Sequence, residues 1–172
     1  GIYKASYTAH LIGDKLTAQL TMPGWQTKHS DAFSIAGDKD TAKIAAMQIT
    51  ANNAVARRDH NTVAVTVRDV HQNLLQGQNV TFTVVNGAAV FADPNGGIVT
   101  TDKDGIASVN LASDQAVNSL IKAEINGSSQ SVEVSFITGD ISQLTSTIKT
   151  ADVSYTAGGK IQVSVTLMDE QK

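Results

Sequence analysis

The sequence predicts an all-β protein built from antiparallel sandwiches, and three observations carry that prediction. The residue choice comes first: 18 Thr, 17 Val and 14 Ser stand against three Glu and nine Leu. β-Branched side chains suit a pleated, half-buried surface and lose rotamer freedom in a helix. Second, apolar residues recur with period two in run after run, which is the pattern of strands with one buried and one wet face. Third, the runs are separated by Asn-Gly, Asp-Gly and Gly-Gly steps, which tolerate the positive φ that tight turns need.

Taken in order, Thr41–Ala51 is the one ambiguous segment. Its alanines would permit a helix, but a matching segment further on reads Thr145-Ser146-Thr147-Ile148, which a helix disfavours, so a strand is expected. Val63, Val65 and Val67 then share one face, with Ala64, Thr66 and Arg68 on the other. Val80, Phe82 and Val84 alternate with Thr81 and Thr83. Ala107, Val109 and Leu111 alternate with Ser108 and Asn110. Ile121, Ala123 and Ile125 alternate with Lys122 and Glu124, and Val132, Val134 and Phe136 with Glu133 and Ser135. Near the end, Ile161, Val163, Val165 and Leu167 repeat the pattern. Turns are expected at Asn86-Gly87, Asn95-Gly96-Gly97, Asp104-Gly105, Asn126-Gly127 and Gly158-Gly159. Asn126-Gly127 lies directly between two alternating runs and reads as a hairpin.

An internal repeat sets the organisation. Gly1–Tyr7 parallels Gly105–Leu111, Leu16–Leu20 parallels Ile121–Ile125, and Ile35-Ala36-Gly37-Asp38 parallels Ile137-Thr138-Gly139-Asp140. Val63–Asp69 parallels Val163–Asp169. The order is kept at a period of roughly 100 residues, a length typical of an Ig-like sandwich. The phase predicts three pieces: residues 1–38 as the closing part of one domain, 39–139 as a complete domain, and 140–172 as the opening part of the next. The chain is then a piece of a longer array of tandem Ig-like domains, one complete and two partial. Neither partial piece can bury its apolar faces alone, so strand exchange between the end pieces of two molecules is a possible association.

Composition excludes several chemistries. With no Cys there is no disulfide framework, thiolate metal site or Cys nucleophile. A formal charge of -3 leaves no electrostatic footprint for nucleic acid. No apolar run reaches the roughly 18 residues of a membrane-spanning helix, and Gly1–Lys15 lacks the basic and apolar regions of a signal peptide. His10, His29, His60 and His71 lack ligand spacing. Asp102-Lys103-Asp104-Gly105 begins like a calcium loop without its later ligands, and a turn accounts for it. Asp38, Asp40 and Asp140 sit at the repeat junctions without a dense carboxylate set around them. No Gly-x-Ser-x-Gly elbow or phosphate loop is present. Asn79-Val80-Thr81 and Asn126-Gly127-Ser128 match the glycosylation sequon. Trp25 reads as an aromatic at a strand end or domain junction, and Arg57-Arg58 as a solvated basic step. No catalytic, cofactor or metal residue is therefore assigned, no cofactor is expected, and the chain is not expected to be an enzyme.

The central repeat resembles bacterial Ig-like domains of the intimin/invasin family. The stretches that carry the resemblance are Val63–Asp69, Leu75–Phe82, Thr100-Thr-Asp-Lys-Asp-Gly105-Ile-Ala and the closing Ser135-Phe136. Gly1–Ala5 and Ser30-Asp31 near Phe33 look like the closing half of the same module. The resemblance implies an outer-membrane adhesin of Gram-negative bacteria, an inverse autotransporter, in which an N-terminal barrel anchors a rod of Ig-like domains ending in a receptor-binding tip. The tip commonly carries a disulfide, so the absence of Cys makes this chain stalk rather than tip. The expected partners are neighbouring Ig-like domains, and a host cell-surface or matrix protein if the domains themselves bind. The expected location is the cell surface, anchored through a region outside this chain. Short linkers at Gly37-Asp38 and Gly139-Asp140 leave little hinge freedom, so a rod is expected.

Overall fold

In the computed structural model, residues 1–142 and 145–169 are described. The central part is a two-layer sandwich. Its strands are β5 (Lys43–Ala51), β6 (Ala54–Val55), β7 (Asn61–Arg68), β8 (Asn79–Asn86), β9 (Val90–Phe91), β10 (Ile98–Thr100), β11 (Ile106–Ala112), β12 (Asn118–Ile125) and β13 (Ser128–Ile137). One sheet runs β10-β8-β12-β13-β6 and the other β5-β7-β11-β9. The strands form because the apolar residues alternate, and burial follows the alternation: Val63, Val65 and Val67 of β7 are at most 1% exposed, as are Ala107, Val109 and Leu111 of β11. Facing them from the other sheet are Val80 and Phe82 of β8, Ile121 and Ala123 of β12, and Val134 and Phe136 of β13. These side chains make one continuous core between the layers.

Residues 43–51 are extended, as the repeat argument expects, after a single 3₁₀ turn at Lys39–Thr41 that Asp38 caps through its side chain. At Asn52 and Asn53 the chain leaves β5 and crosses to the other sheet, where β6 pairs with β13 in parallel. Asn53 takes φ 58° at this crossing. This short parallel pair departs from the purely antiparallel expectation. Its cause is that two segments running in one direction are divided between the two sheets. Asn61, fully buried, ties the crossing down: its side-chain oxygen accepts from Ala54 N at 3.0 Å and its amide donates to Ser135 O at 2.9 Å.

The turn signals divide by function. Asn126 (φ 47°) and Gly127 (φ 76°) both take positive φ and close the β12–β13 hairpin in the manner of a type I′ turn. Asn86-Gly87, Asn95-Gly96-Gly97 and Asp104-Gly105 instead carry the chain between the two sheets, since the strands on either side of each lie in different layers.

Ahead of the sandwich, β1 (Gly13–Leu16) pairs with β4 (Phe33–Ile35), and β2 (Gln19–Leu20) with β3 (Lys28–His29). The Leu16–Leu20 run is thus split between two short strands, whereas its repeat counterpart Ile121–Ile125 lies within β12. Residues 1–12 form no strand, unlike their counterpart β11. The cause is the lack of a partner: β11 is held by β7 and β9, and no described strand lies beside residues 1–12. After the sandwich, β14 (Thr147–Thr150) pairs with β15 (Val163–Thr166), and both are exposed along their length.

Candidate functional site at the junctions flanking the sandwich

A buried polar cluster lies where the preceding segment meets the sandwich. Strand β7 ends at Arg68, and the chain turns through Asp69–Asn73 before returning with a bridge from Arg68 to Leu74. The turn is held by Asp69 N donating to Asn73 O at 3.0 Å, and by Gln72 N donating to Asp69 O at 3.1 Å. Gln72 takes φ 69° to allow the reversal. Arg68 clamps it from outside by donating to Gln72 O at 2.6 Å.

The Asp69 side chain is 1% exposed and accepts four hydrogen bonds. Oδ1 takes His71 N and Asn73 N, both at 2.9 Å. Oδ2 takes Asn73 Nδ2 at 2.9 Å and the backbone N of Asp38 at 3.1 Å. Burial alone raises this carboxyl's pKa, but the bonds from Asn73, Asp38 and His71 together outweigh it and hold the group below the ordinary aspartate value. The site is therefore a buried anion neutralised by oriented N–H donors, one of which belongs to the linker at Gly37-Asp38.

Asn73 carries the grip outward. Its Nδ2 also donates to His10 O at 2.7 Å, and its Oδ1 accepts from Ile12 N at 3.1 Å. One side chain thus satisfies a backbone acceptor and a backbone donor of the preceding segment, as an adjacent strand would. Thr41 completes the lock: its hydroxyl donates to Asp38 O and accepts from Val70 N, each at 3.2 Å. Gly37 passes so close to the sandwich that a Cβ there would lie 2.3 Å from Leu75 Cδ2. Beside this contact is a groove of about 520 Å³ lined by Ile12, Ile35, Gly37, Leu74, Leu75 and Gln78.

The second junction reuses part of this design. Asp169 Oδ2 accepts from Gly139 N at 3.1 Å. Asp169 also forms a bridge with Ile141, and its carbonyl accepts from Thr145 Oγ1 at 2.7 Å.

The residues singled out in the sequence fall as follows. His10 and His71, 61 positions apart, meet with Nδ1 atoms 3.1 Å apart and rings edge to face, on the surface of the first junction. His29 and His60 stand elsewhere and exposed. Among the described residues no group of three or more His, Asp or Glu converges as metal ligands. Asp102 spends its carboxylate on its own turn, accepting from Asp104 N and Ile106 N at 2.9 Å each. Asp38 caps the 3₁₀ turn, Asp40 follows within it, and Asp140 is exposed. Trp25 is 72% exposed. Arg57 donates to Asp114 O and Arg58 pairs with Asp59, both on the surface. Asn79 accepts from Thr100 Oγ1. Asn126 donates to Lys39 O, another contact to the start of the sandwich. Sequence reasoning missed the chemistry around Asp69 and Asp169. The recurrence of Asp at 69 and 169 was the available signal, and Asn73 had none.

A two-sheet sandwich of this topology is an Ig-like fold. Residues 44–137 match the family model of the bacterial Ig-like domain (group 1), and the chain belongs to that family. Among individual proteins, it is 33% identical over 169 residues to the inverse autotransporter adhesin YeeJ of Escherichia coli K12. That alignment covers 96% of this chain and 7% of the relative's length. Among solved structures, it is similar to invasin, a bacterial integrin-binding protein, with TM-score 0.52 and 30% identity, covering 71% of this chain and 25% of that one. The D00–D0 domains of intimin share the fold at TM-score 0.51 and 20% identity, covering 70% and 62%. The chain is homologous to adhesins of the invasin and intimin type.

Proposed function

We propose that this chain is a segment of the stalk of a Gram-negative surface adhesin, a spacer that projects a binding tip away from the cell. In this reading residues 1–38 close one Ig-like domain, 39–139 are a complete domain and 140–172 open the next. The parent protein is held in the outer membrane through a region outside this chain, and the segment has no enzymatic role. The observation that carries the proposal is the Asp69 lock: a linker bonded into the next sandwich transmits orientation, which a spacer needs. Ordinary contacts between domains of one chain are polar and permit motion, so a buried carboxylate that binds the linker through Asp38 N, beside an Asn73 that binds His10 and Ile12, is a departure that favours stiffness.

A second reading is that the domains themselves bind a host cell-surface or matrix ligand. The similarity to invasin, an integrin-binding protein, supports it. The two readings separate in one experiment. The purified chain is coated on beads and tested for attachment to host cells and matrix proteins, while small-angle scattering measures its length. An extended particle without attachment is expected. Saturable attachment would replace the spacer reading with the second, and a compact or flexible particle would overturn it.

A further inference from the structure

We infer that the aspartate following the second long strand of each sandwich is a docking platform for the preceding Ig-like unit, so that each unit carries the receptor for its neighbour's linker. This rests on the stalk reading and names the residues that would make it stiff. Two junctions carry the inference separately. At the first, Asp69 Oδ2 accepts from Asp38 N at 3.1 Å across 31 positions. At the second, Asp169 Oδ2 accepts from Gly139 N at 3.1 Å across 30 positions. Asp69 and Asp169 are equivalent in the repeat, as are Gly37-Asp38 and Gly139-Asp140, so the same residue type meets the same linker twice. The donor shifts by one position between the junctions, which marks the linker backbone, rather than a particular side chain, as what is recognised.

The chemistry explains the choice of residue. Every group facing the Asp69 carboxylate is an N–H: His71 N, Asn73 N, Asn73 Nδ2 and Asp38 N. A carboxylate offers two oxygens and no donor, so it satisfies all four. An asparagine would turn an NH₂ toward at least one of these donors and leave it without an acceptor. The platform is also directional. Asp69 and Asn73 belong to the following unit, and they hold only main-chain atoms of the preceding one: Asp38 N, His10 O and Ile12 N. Main-chain recognition tolerates sequence change in the preceding unit. Successive non-identical domains could then dock through one device, with the array growing head to tail and not closing on itself.

The chain has no Cys, so two labels can be introduced at will. Lys28→Cys and Lys103→Cys place spin labels on the preceding segment and on the turn between β10 and β11 of the sandwich, both at exposed positions. Their distance distribution is read by pulsed dipolar spectroscopy in the parent chain and in Asp69→Ala, Asn73→Ala and Asp169→Ala. The expected result is a narrow parent distribution. It broadens at least twofold in Asp69→Ala and Asn73→Ala and is unchanged in Asp169→Ala, which acts on the other junction. Unfolding of the sandwich, followed by circular dichroism, shows which variants remain folded. If Asp69→Ala does not, Asn73→Ala decides, because it removes the bonds to His10 and Ile12 and leaves Asp38 bonded. A narrow parent distribution that stays narrow in folded variants overturns the platform and leaves the stalk reading standing. A parent distribution that is already broad overturns the stiff stalk itself.

Discussion

The backbone N–H of Asp38 and the side-chain oxygen Oδ2 of Asp69 lie 3.1 Å apart, and this bond makes the linker part of the turn that follows β7. The contact joins the entry of the sandwich to the end of its second long strand. It places a carboxylate where water is excluded, a position that is tolerable only because N–H donors surround it.

Acid should weaken this arrangement. The Asp69 carboxyl is held below its ordinary value in the folded chain. The stabilisation is therefore present at pH values above the unfolded value of about 3.9 and is lost as pH falls through the lower folded value. The urea midpoint of the parent chain should hold between pH 7 and 5 and fall below about pH 4. In Asp69→Asn the midpoint should be lower at neutral pH and the acid limb shallower. Identical acid limbs in the two proteins would remove Asp69 from the account.

The close passage of Gly37 gives a second expectation. A methyl group there meets Leu75, itself 4% exposed. Gly37→Ala should destabilise by about 1–3 kcal/mol, as overpacking does. Leu75→Ala is destabilising alone, but the double variant should lose less than the sum of the two. A double-mutant cycle in urea measures the coupling, and additive losses would contradict the contact.

Asn61 spans the point where the chain changes sheets. Asn61→Ala leaves Ala54 N and Ser135 O without their partner, and each unsatisfied buried group costs about 1–3 kcal/mol. A loss in that range or above is expected from denaturant unfolding. Hydrogen exchange at Ala54 should accelerate more than exchange at Val65 in the middle of β7.

The core and the tail should respond differently to the same substitution. Leu111 is fully buried between the sheets, and Leu111→Ala should cost about 2–5 kcal/mol. Leu167 is 62% exposed, and Leu167→Ala should change stability by less than about 0.5 kcal/mol. Equal effects on the midpoint would show that residues 163–167 pack against the sandwich.

Much of the fold was legible because strand faces are written locally. Val63, Val65 and Val67 announce a buried face by spacing alone, and all three are buried. The hairpin at Asn126-Gly127 was legible for the same reason, since two consecutive positive φ angles require residues of that kind. The other Gly-containing turns announced a reversal without saying where it led. Asn86-Gly87, Asn95-Gly96-Gly97 and Asp104-Gly105 all pass between sheets, because a turn sequence fixes φ locally while sheet membership depends on partners far along the chain. Similarly, Ile2, Tyr3 and Tyr7 have the pattern of β11 but stand 91%, 96% and 87% exposed. A strand needs a neighbour, and alternation does not supply one.

The junction shows the division most clearly. By itself the sequence determined the all-β class, the internal sequence parallels and the recurrence of Asp at 69 and 169, since each is a matter of local chemistry or register. Only the tertiary structure decided that Asp69 faces the linker, that Asn73 reaches His10 and Ile12, and that His10 meets His71. These pairs are 31 to 63 positions apart. The first is closed by the pairing of β5 with β7, which sets Lys43 opposite Arg68, and the others by the packing of the preceding segment on the turn after β7, so that no single segment encodes them.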